Sequence, residues 1–245
     1  MEEDRLRLFW QEIRRTDGEA GDTRHVELLL RMKDDDGTDI LPMAFIPAAE
    51  RYSIMPSLDT WVIEETLRLC KRYLAFRTAQ HCLFAINLSG ASLKAPTFRQ
   101  KLLTQLQENP EMGPHLCFEI TETAAIGNLG VVNEFIEAMR EFGCSFALDD
   151  FGSGLSSFIY LKNLKVDFLK IDGAFVRDIV NNPVDRSMVE AVHRIGHQMG
   201  LKTVAEYVES DEILAILRQI GVDFVQGNAV HSPEPLETLC GSTCL

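Results

Sequence analysis

Two adjacent carboxylates, Asp149 and Asp150, close the apolar run Ser145-Phe-Ala-Leu148 and precede the glycine-containing segment Phe151-Gly152-Ser153-Gly154. Neighbouring acids on solvated backbone only repel one another. At a strand end, a shared divalent cation turns that repulsion into binding. Acids or amides end several other apolar runs: Glu27, Asn87, Glu119, Asp172, Glu206 and Gln226. Polar residues recurring at successive strand ends predict one site assembled on a barrel. Singly, each would read as a helix cap or a turn residue. Asp172 has that reading, as a cap for the segment starting at Gly173. The argument rests on several ends agreeing.

Glu27, Asn87, Glu119, Asp149, Asp150 and Glu206 form an all-oxygen ligand set, which suits magnesium or manganese and disfavours zinc. Two cations sharing a carboxylate would account for so many converging acids. Paired metals suit in-line attack of water on a phosphodiester. Lys170, from a neighbouring strand end, is placed to steady the attacking water or the phosphate. Ser153, Ser156 and Ser157 lack a His-Asp pattern, so a serine nucleophile is disfavoured. The Phe151–Gly154 segment reads as a mobile loop in preference to a phosphate cradle. Lys202 and Arg177 read as solvated faces.

The elements that must hold these groups follow from periodicity. Leu6 to Ile13 and Val26 to Arg31 read as strands. The segment between them, Arg14 to Arg24, is too short and too polar for a parallel crossover, so the first strand is expected to run antiparallel to the second. Helices and strands then alternate. Helices are expected from Leu58 to Thr78, Pro96 to Asn109, Val131 to Phe142, Ser156 to Leu164, Pro183 to Met199 and Ser210 to Ile220. Strands are expected from Leu83 to Leu88, Leu116 to Thr121, Cys144 to Asp149, Phe168 to Asp172, Lys202 to Glu206 and from Phe224 through Gln226. Eight strands with helices between most of them predict a modified, TIM-like (β/α)8 barrel. An open doubly wound sheet is disfavoured, because no Gly-x-Gly-x-x-Gly follows the first strand.

The chain has 245 residues, and its expected organisation is one domain over 1–245, a fragment of a longer signalling protein. A formal net charge of −13 without a Lys/Arg block disfavours nucleic-acid polymers and anionic membranes as partners. Of six cysteines, Cys70, Cys82, Cys117 and Cys144 lie in apolar runs and read as core thiols of a reducing, cytoplasmic compartment. Cys240 and Cys244 sit in a polar tail without nearby histidines, which disfavours a zinc site.

These residues resemble the EAL-type domain, the phosphodiesterase module of bacterial cyclic-di-GMP signalling. The resemblance runs from Leu6 to about Leu236. It is carried by Val26-Glu-Leu-Leu-Leu-Arg31, Asn87-Leu-Ser89, Glu119-Ile-Thr-Glu122, Asp149-Asp-Phe-Gly-Ser-Gly154, Leu169-Lys-Ile-Asp172, Ala205-Glu-Tyr-Val-Glu209 and Gln226-Gly227. It implies one metal on Glu27, Asn87, Glu119 and Asp149, bridged by Asp149 to a second on Asp150 and Glu206. The cations would be magnesium or manganese, with calcium inhibitory. Lys170 would assist the nucleophilic water, Glu206 is sometimes the base, and Glu209 and Gln226 would support metal-bound waters. Arg31, Gln226 and Asp172 would serve the substrate. Glu122 would anchor the loop of Phe151, Gly152, Ser153 and Gly154, which couples the site to homodimerisation. The product would be linear pGpG, and an upstream sensory or cyclase domain is expected by analogy. Four residues depart from the pattern: Leu28 replaces alanine, Tyr207 replaces glycine and is expected to crowd the site, Leu155 replaces tyrosine, and Asn228 replaces an aromatic. No ligand is lost, which favours an enzyme over a silent cyclic-di-GMP receptor or a purely structural barrel.

Overall fold

In a computed structural model, which describes residues 5–19, 23–75, 81–152 and 158–239, the strands close on themselves. β1 (Leu6–Arg15) and β2 (Thr23–Lys33) pair antiparallel, from Leu6 opposite Met32 to Ile13 opposite His25. A two-residue strand, β3 (Asp39–Ile40), extends β2. β2 then pairs in parallel with β4 (His81–Leu88). β5 (Leu116–Thr121), β6 (Ser145–Phe151), β7 (Phe168–Ile171), β8 (Lys202–Ala205) and β9 (Phe224–Val225) follow, each parallel to the one before. β9 meets β1 antiparallel at Val225 and Arg14, which completes an eight-stranded ring. A short β10 (Glu234–Pro235) lies on the outer part of β1. The expected barrel with its first strand reversed is therefore observed.

The helices are α1 (Pro42–Arg51), α2 (Met55–Ala75), α3 (Gly90–Lys94), α4 (Pro96–Glu108), α5 (Glu122–Ile126), α6 (Leu129–Arg140), α7 (Phe158–Leu161), α8 (Gly173–Val176), α9 (Pro183–Gln198) and α10 (Asp211–Ile220). α1 is absent from the sequence expectation, and it carries a second proline, Pro47, inside the helix. Pro42 sits at the helix start, where no intrahelical N–H is needed. α3 and α5 were also unforeseen, whereas the cap reading of Asp172 anticipated α8. Each is about one turn, opened by a side chain that accepts a backbone N–H: Ser89 from Ser92, Thr121 from Ala124 and Asp172 from Ala174. The expected Arg14–Arg24 loop is shorter, since β1 continues to Arg15 and β2 begins at Thr23. Residues 76–78 of the expected Leu58–Thr78 helix, Ser153 through Ser157, and Cys240 and Cys244 lie outside the described residues. No helix among the described residues is long and apolar enough to cross a membrane.

Strand alternation divides the apolar residues in two. Phe84, Ile86, Phe118, Ile120, Phe146, Leu148, Leu169 and Ile171 face outward and bury the helices. Phe118, Phe135 and Phe146 pack with ring centroids 5.6–6.2 Å apart and pin α6 across β5 and β6. Burying each of those rings is worth roughly 1.5–3 kcal/mol. The inward set is small and separate: Ile13, Leu83, Ala85, Cys117, Ala147 and Val204, with Phe168 and Phe224. One pleat further along, the inward positions are Glu27, Asn87, Glu119, Asp149 and Lys170. The barrel interior thus changes from apolar to ionic within one strand repeat.

Candidate active site

Lys170 stands at the centre of that ionic layer. Its Nζ lies 2.6 Å from Glu119 Oε2, 2.8 Å from Glu206 Oε1, 3.3 Å from Glu27 Oε2 and 3.4 Å from Asp149 Oδ1. The residue is 1% exposed. Burial alone would discharge an ammonium, but Asp149, Glu119, Glu206 and Glu27 outweigh it and hold Lys170 well above its ordinary pKa. Lys170 is therefore the counter-ion of four carboxylates on four other strand ends.

The acids around it are not equivalent. Burial pushes Glu27 toward the neutral form, yet Lys170 and the amides of Gln226 and Asn87 reverse this and hold it below its usual pKa. Asn87 Nδ2 donates to Glu27 Oε1 at 2.6 Å, and Gln226 Nε2 donates to Oε2 at 2.7 Å. Glu119 goes the other way: burial, then repulsion from Glu27, hold it well above the carboxylate range. Its Oε1 is buried and accepts no hydrogen bond. Burial raises Glu206 to about 8 against the pull of Lys170, with Asp149 and Glu27 repelling its charge. Burial and then Asp149 raise Asp150.

Adjacent strand residues normally point to opposite faces. Asp149 and Asp150 escape this because the β6–β7 register shifts between Leu148 and Phe151, and Asp150 is left-handed at φ 55°. Both carboxylates thereby reach one mouth. Asp149, Asp150 and Glu206 each place an oxygen within 4.8 Å of the others. With the unpartnered Glu119 Oε1, the donor set is all oxygen and several-fold anionic, and it fits hard divalent cations. Glu27, Asn87 and Glu119 reach this trio through Lys170 and the Glu27 hydrogen bonds.

A cavity of about 500 Å³ opens over the acids, lined by Glu27, Arg31, Asp149, Asp150, Glu206, Tyr207, Glu209, Gln226 and Asn228 among others. The expected substrate residues Arg31 and Gln226 and the expected water-supporting Glu209 therefore line the same cavity as Glu27, Asp149, Asp150 and Glu206. Asp172 is not among the lining residues. It accepts the Ala174 N–H at 2.7 Å as the cap of α8, and its charge also acts on Asp150. Glu122 opens α5 and accepts from Gly152 N at 3.4 Å. That contact ties the segment after Asp150 to β5 beside Phe151; Ser153 and Gly154 lie outside the described residues. Leu28 faces outward into the apolar core.

Two supporting residues escaped the sequence reading. Gln11, on β1, accepts from Gln226 Nε2 at 3.1 Å and donates to the His231 carbonyl at 2.8 Å. It fixes the amide that fixes Glu27. The available signal was a polar residue inside an apolar strand. Asp59, buried on α2, accepts from Ser89 N at 2.9 Å and Ser92 Oγ at 2.6 Å, and so orders the turn that follows Asn87. An acid inside an amphipathic helix gave no distinguishing signal.

The family model for the EAL domain matches residues 1–233. The chain is 40% identical over 243 residues to the cyclic di-GMP phosphodiesterase PdeB of Shewanella oneidensis, covering 98% of this chain and 28% of that protein. It is 37% identical to the cyclic di-GMP phosphodiesterase PdeF of Escherichia coli, covering 89% of this chain and 29% of the relative. The chain thus spans less than a third of the length of these curated relatives. Among solved structures, a PaMucR phosphodiesterase in complex with c-di-GMP superposes with a TM-score of 0.89 at 29% identity, covering 97% of this chain and 95% of that one. The FimX EAL domain of Pseudomonas aeruginosa bound to c-di-GMP gives 0.85 at 27% identity, covering 94% and 91%.

Proposed function

The chain belongs to the EAL domain family, and on that premise we propose that it is a metal-dependent phosphodiesterase that hydrolyses cyclic-di-GMP to linear pGpG. The observation that carries the reading is the convergence of Glu27, Glu119, Asp149 and Glu206 on the buried Lys170 beneath a 500 Å³ cavity. A structural barrel has no need of so costly a cluster.

Glu27, Asn87, Glu119 and Asp149 would hold one cation, and Asp149, Asp150 and Glu206 a second, magnesium or manganese. When bound, such ions lower the pKa of a coordinated water and neutralise phosphate charge. The side chains do the rest. Gln226, locked by Gln11, and Asn87 hold the Glu27 carboxylate in one rotamer. Lys170 bridges Glu119 and Glu206 and offers its ammonium to a water or phosphate oxygen. Glu206, at the mouth of the cavity beside Asp149 and Asp150, serves as the base for the attacking water. Arg31 brings a guanidinium to a phosphate oxygen of the substrate, and Glu209 supports ordered water at the rim.

The wider setting is part of the same proposal. The domain is one module of a longer cytoplasmic signalling protein with an upstream sensory or cyclase domain, in keeping with relatives more than three times as long. The four buried thiols support a reducing compartment. Homodimerisation through the loop held by Glu122 belongs to the same proposal, with the Gly152 N–H contact to Glu122 as its support.

The test is incubation with cyclic-di-GMP and magnesium or manganese, against a chelator control, with the nucleotides resolved by chromatography. Metal-dependent pGpG is the expected result. Binding without turnover in either metal would replace the enzyme by a receptor.

A further inference from the structure

Tyr207 follows Glu206 and lines the same cavity. Its backbone is left-handed at φ 54°, and the residue is 47% exposed. The ring is fixed from two directions. The ring packs against Gly173, where an added Cβ would sit 2.0 Å from Tyr207 Cδ2. One face lies under the Arg177 guanidinium, whose Cζ is 3.9 Å from the ring centroid. Gly173 opens α8 and Arg177 follows its last residue, so both contacts come from one turn of chain. Arg177, read from the sequence as a solvated side chain, is in fact a cation–π partner. Held by these two contacts, the half-exposed ring still lines the cavity over the acids.

An aromatic ring immobilised beside a metal site offers a planar wall, and the planar part of a cyclic dinucleotide is its base. We propose that Tyr207 stacks on a guanine base of the substrate, with Arg177 as the positioning residue that holds the ring. This deepens the cyclic-di-GMP reading above and rests on it. Tyr207, a departure from the family pattern expected to crowd the site, becomes a determinant of substrate affinity. Because the ring is already fixed in the free protein, little freedom is lost when the base arrives.

The experiment measures kcat and KM with manganese for wild type, Y207A, Y207F and R177A. Two substrates are used: cyclic-di-GMP and methyl p-nitrophenyl phosphate, a diester without a purine. Affinity for cyclic-di-GMP is measured in parallel by calorimetry in calcium. Loss of one base–aromatic stack corresponds to about 5- to 150-fold in affinity. Y207A should raise KM for cyclic-di-GMP by that factor with little change in kcat. Selectivity for it over the purine-free diester should fall by the same factor. Y207F should restore most of the loss, and R177A should fall between. An equal loss on both substrates, an unchanged KM in Y207A, or a Y207F as poor as Y207A would overturn the stacking role. A wild type that binds cyclic-di-GMP without cleaving it refutes the hydrolase reading alone. Calorimetry then still decides: weaker binding by Y207A upholds the stack, and equal binding overturns it.

Discussion

Replacing Lys170 by methionine keeps the stem and removes the charge. Four carboxylate oxygens within 3.4 Å of Nζ then lose the cation they share, in a site where Lys170 and Glu119 are each 1% exposed. Breaking a buried ion pair from one side costs about 3–5 kcal/mol. A domain of this size loses roughly 2–4 °C per kcal/mol, so K170M should melt about 6–20 °C below wild type in chelator. The acids can relieve part of the repulsion by taking up protons, which raises their folded-state pKa values further. An acid with a raised folded pKa loses stability as pH rises, so the deficit should be larger at pH 8.5 than at pH 6. A divalent cation at 100 times its Kd adds about 2.7 kcal/mol per site. It meets no competing ammonium in K170M, so the metal-induced rise in Tm should exceed that of wild type. The assay is thermal unfolding by circular dichroism, in chelator and in manganese, at both pH values. A K170M protein that melts within about 3 °C of wild type in chelator would refute the counter-ion role, as would a metal-induced shift no larger than wild type's.

Glu27→Ala should abolish cyclic-di-GMP hydrolysis while leaving the far-ultraviolet spectrum and melting cooperativity intact; near-normal pGpG production would sink the ligand assignment. Glu122→Ala should lower turnover by releasing Gly152 N, and an unchanged rate with unchanged oligomeric mass would remove the coupling. Gly227→Ala combines φ 157° with a Cβ 2.3 Å from the Val208 backbone, so it should cost about 3 kcal/mol or more in urea unfolding; wild-type stability would show that the β9 turn yields more easily than its packing indicates. In metal-free wild type, Glu206 is raised from 4.5 to about 8, so the unfolded chain ionises first as pH rises. Stability in chelator should therefore decline across that window and the slope should flatten in manganese; a flat profile in chelator would contradict the burial of this acid.

The site was legible where an acid or amide ended a run of alternating or fully apolar residues, as at Glu27, Asn87, Glu119 and Asp149. There the strand period alone says which way the side chain points. It was not legible where direction comes from a neighbour. Gln11 faces inward only because β1 closes between β2 and β9, and an isolated glutamine in a strand looks the same facing either way. Asp150 reaches the mouth through a register shift that belongs to the β6–β7 pair. The Arg177–Tyr207 stack joins the ends of β7 and β8, thirty positions apart in sequence. The barrel itself was readable because its alternation is long and regular. α1 was not, because two prolines obscured a helix that tolerates one of them at its first turn.

The ring is closed by contacts between opposite ends of the chain: Gln226 reaches Gln11 across 215 positions and Glu27 across 199. Contacts so distant form late in folding, after the loop entropy of the intervening barrel has been spent. Glu27 receives its second amide only when β9 has docked against β1. A folding intermediate with every parallel strand but the last in place would hold most of the acids without the geometry to use them, and the appearance of activity during refolding should track the final phase of barrel closure, not the earlier growth of secondary structure.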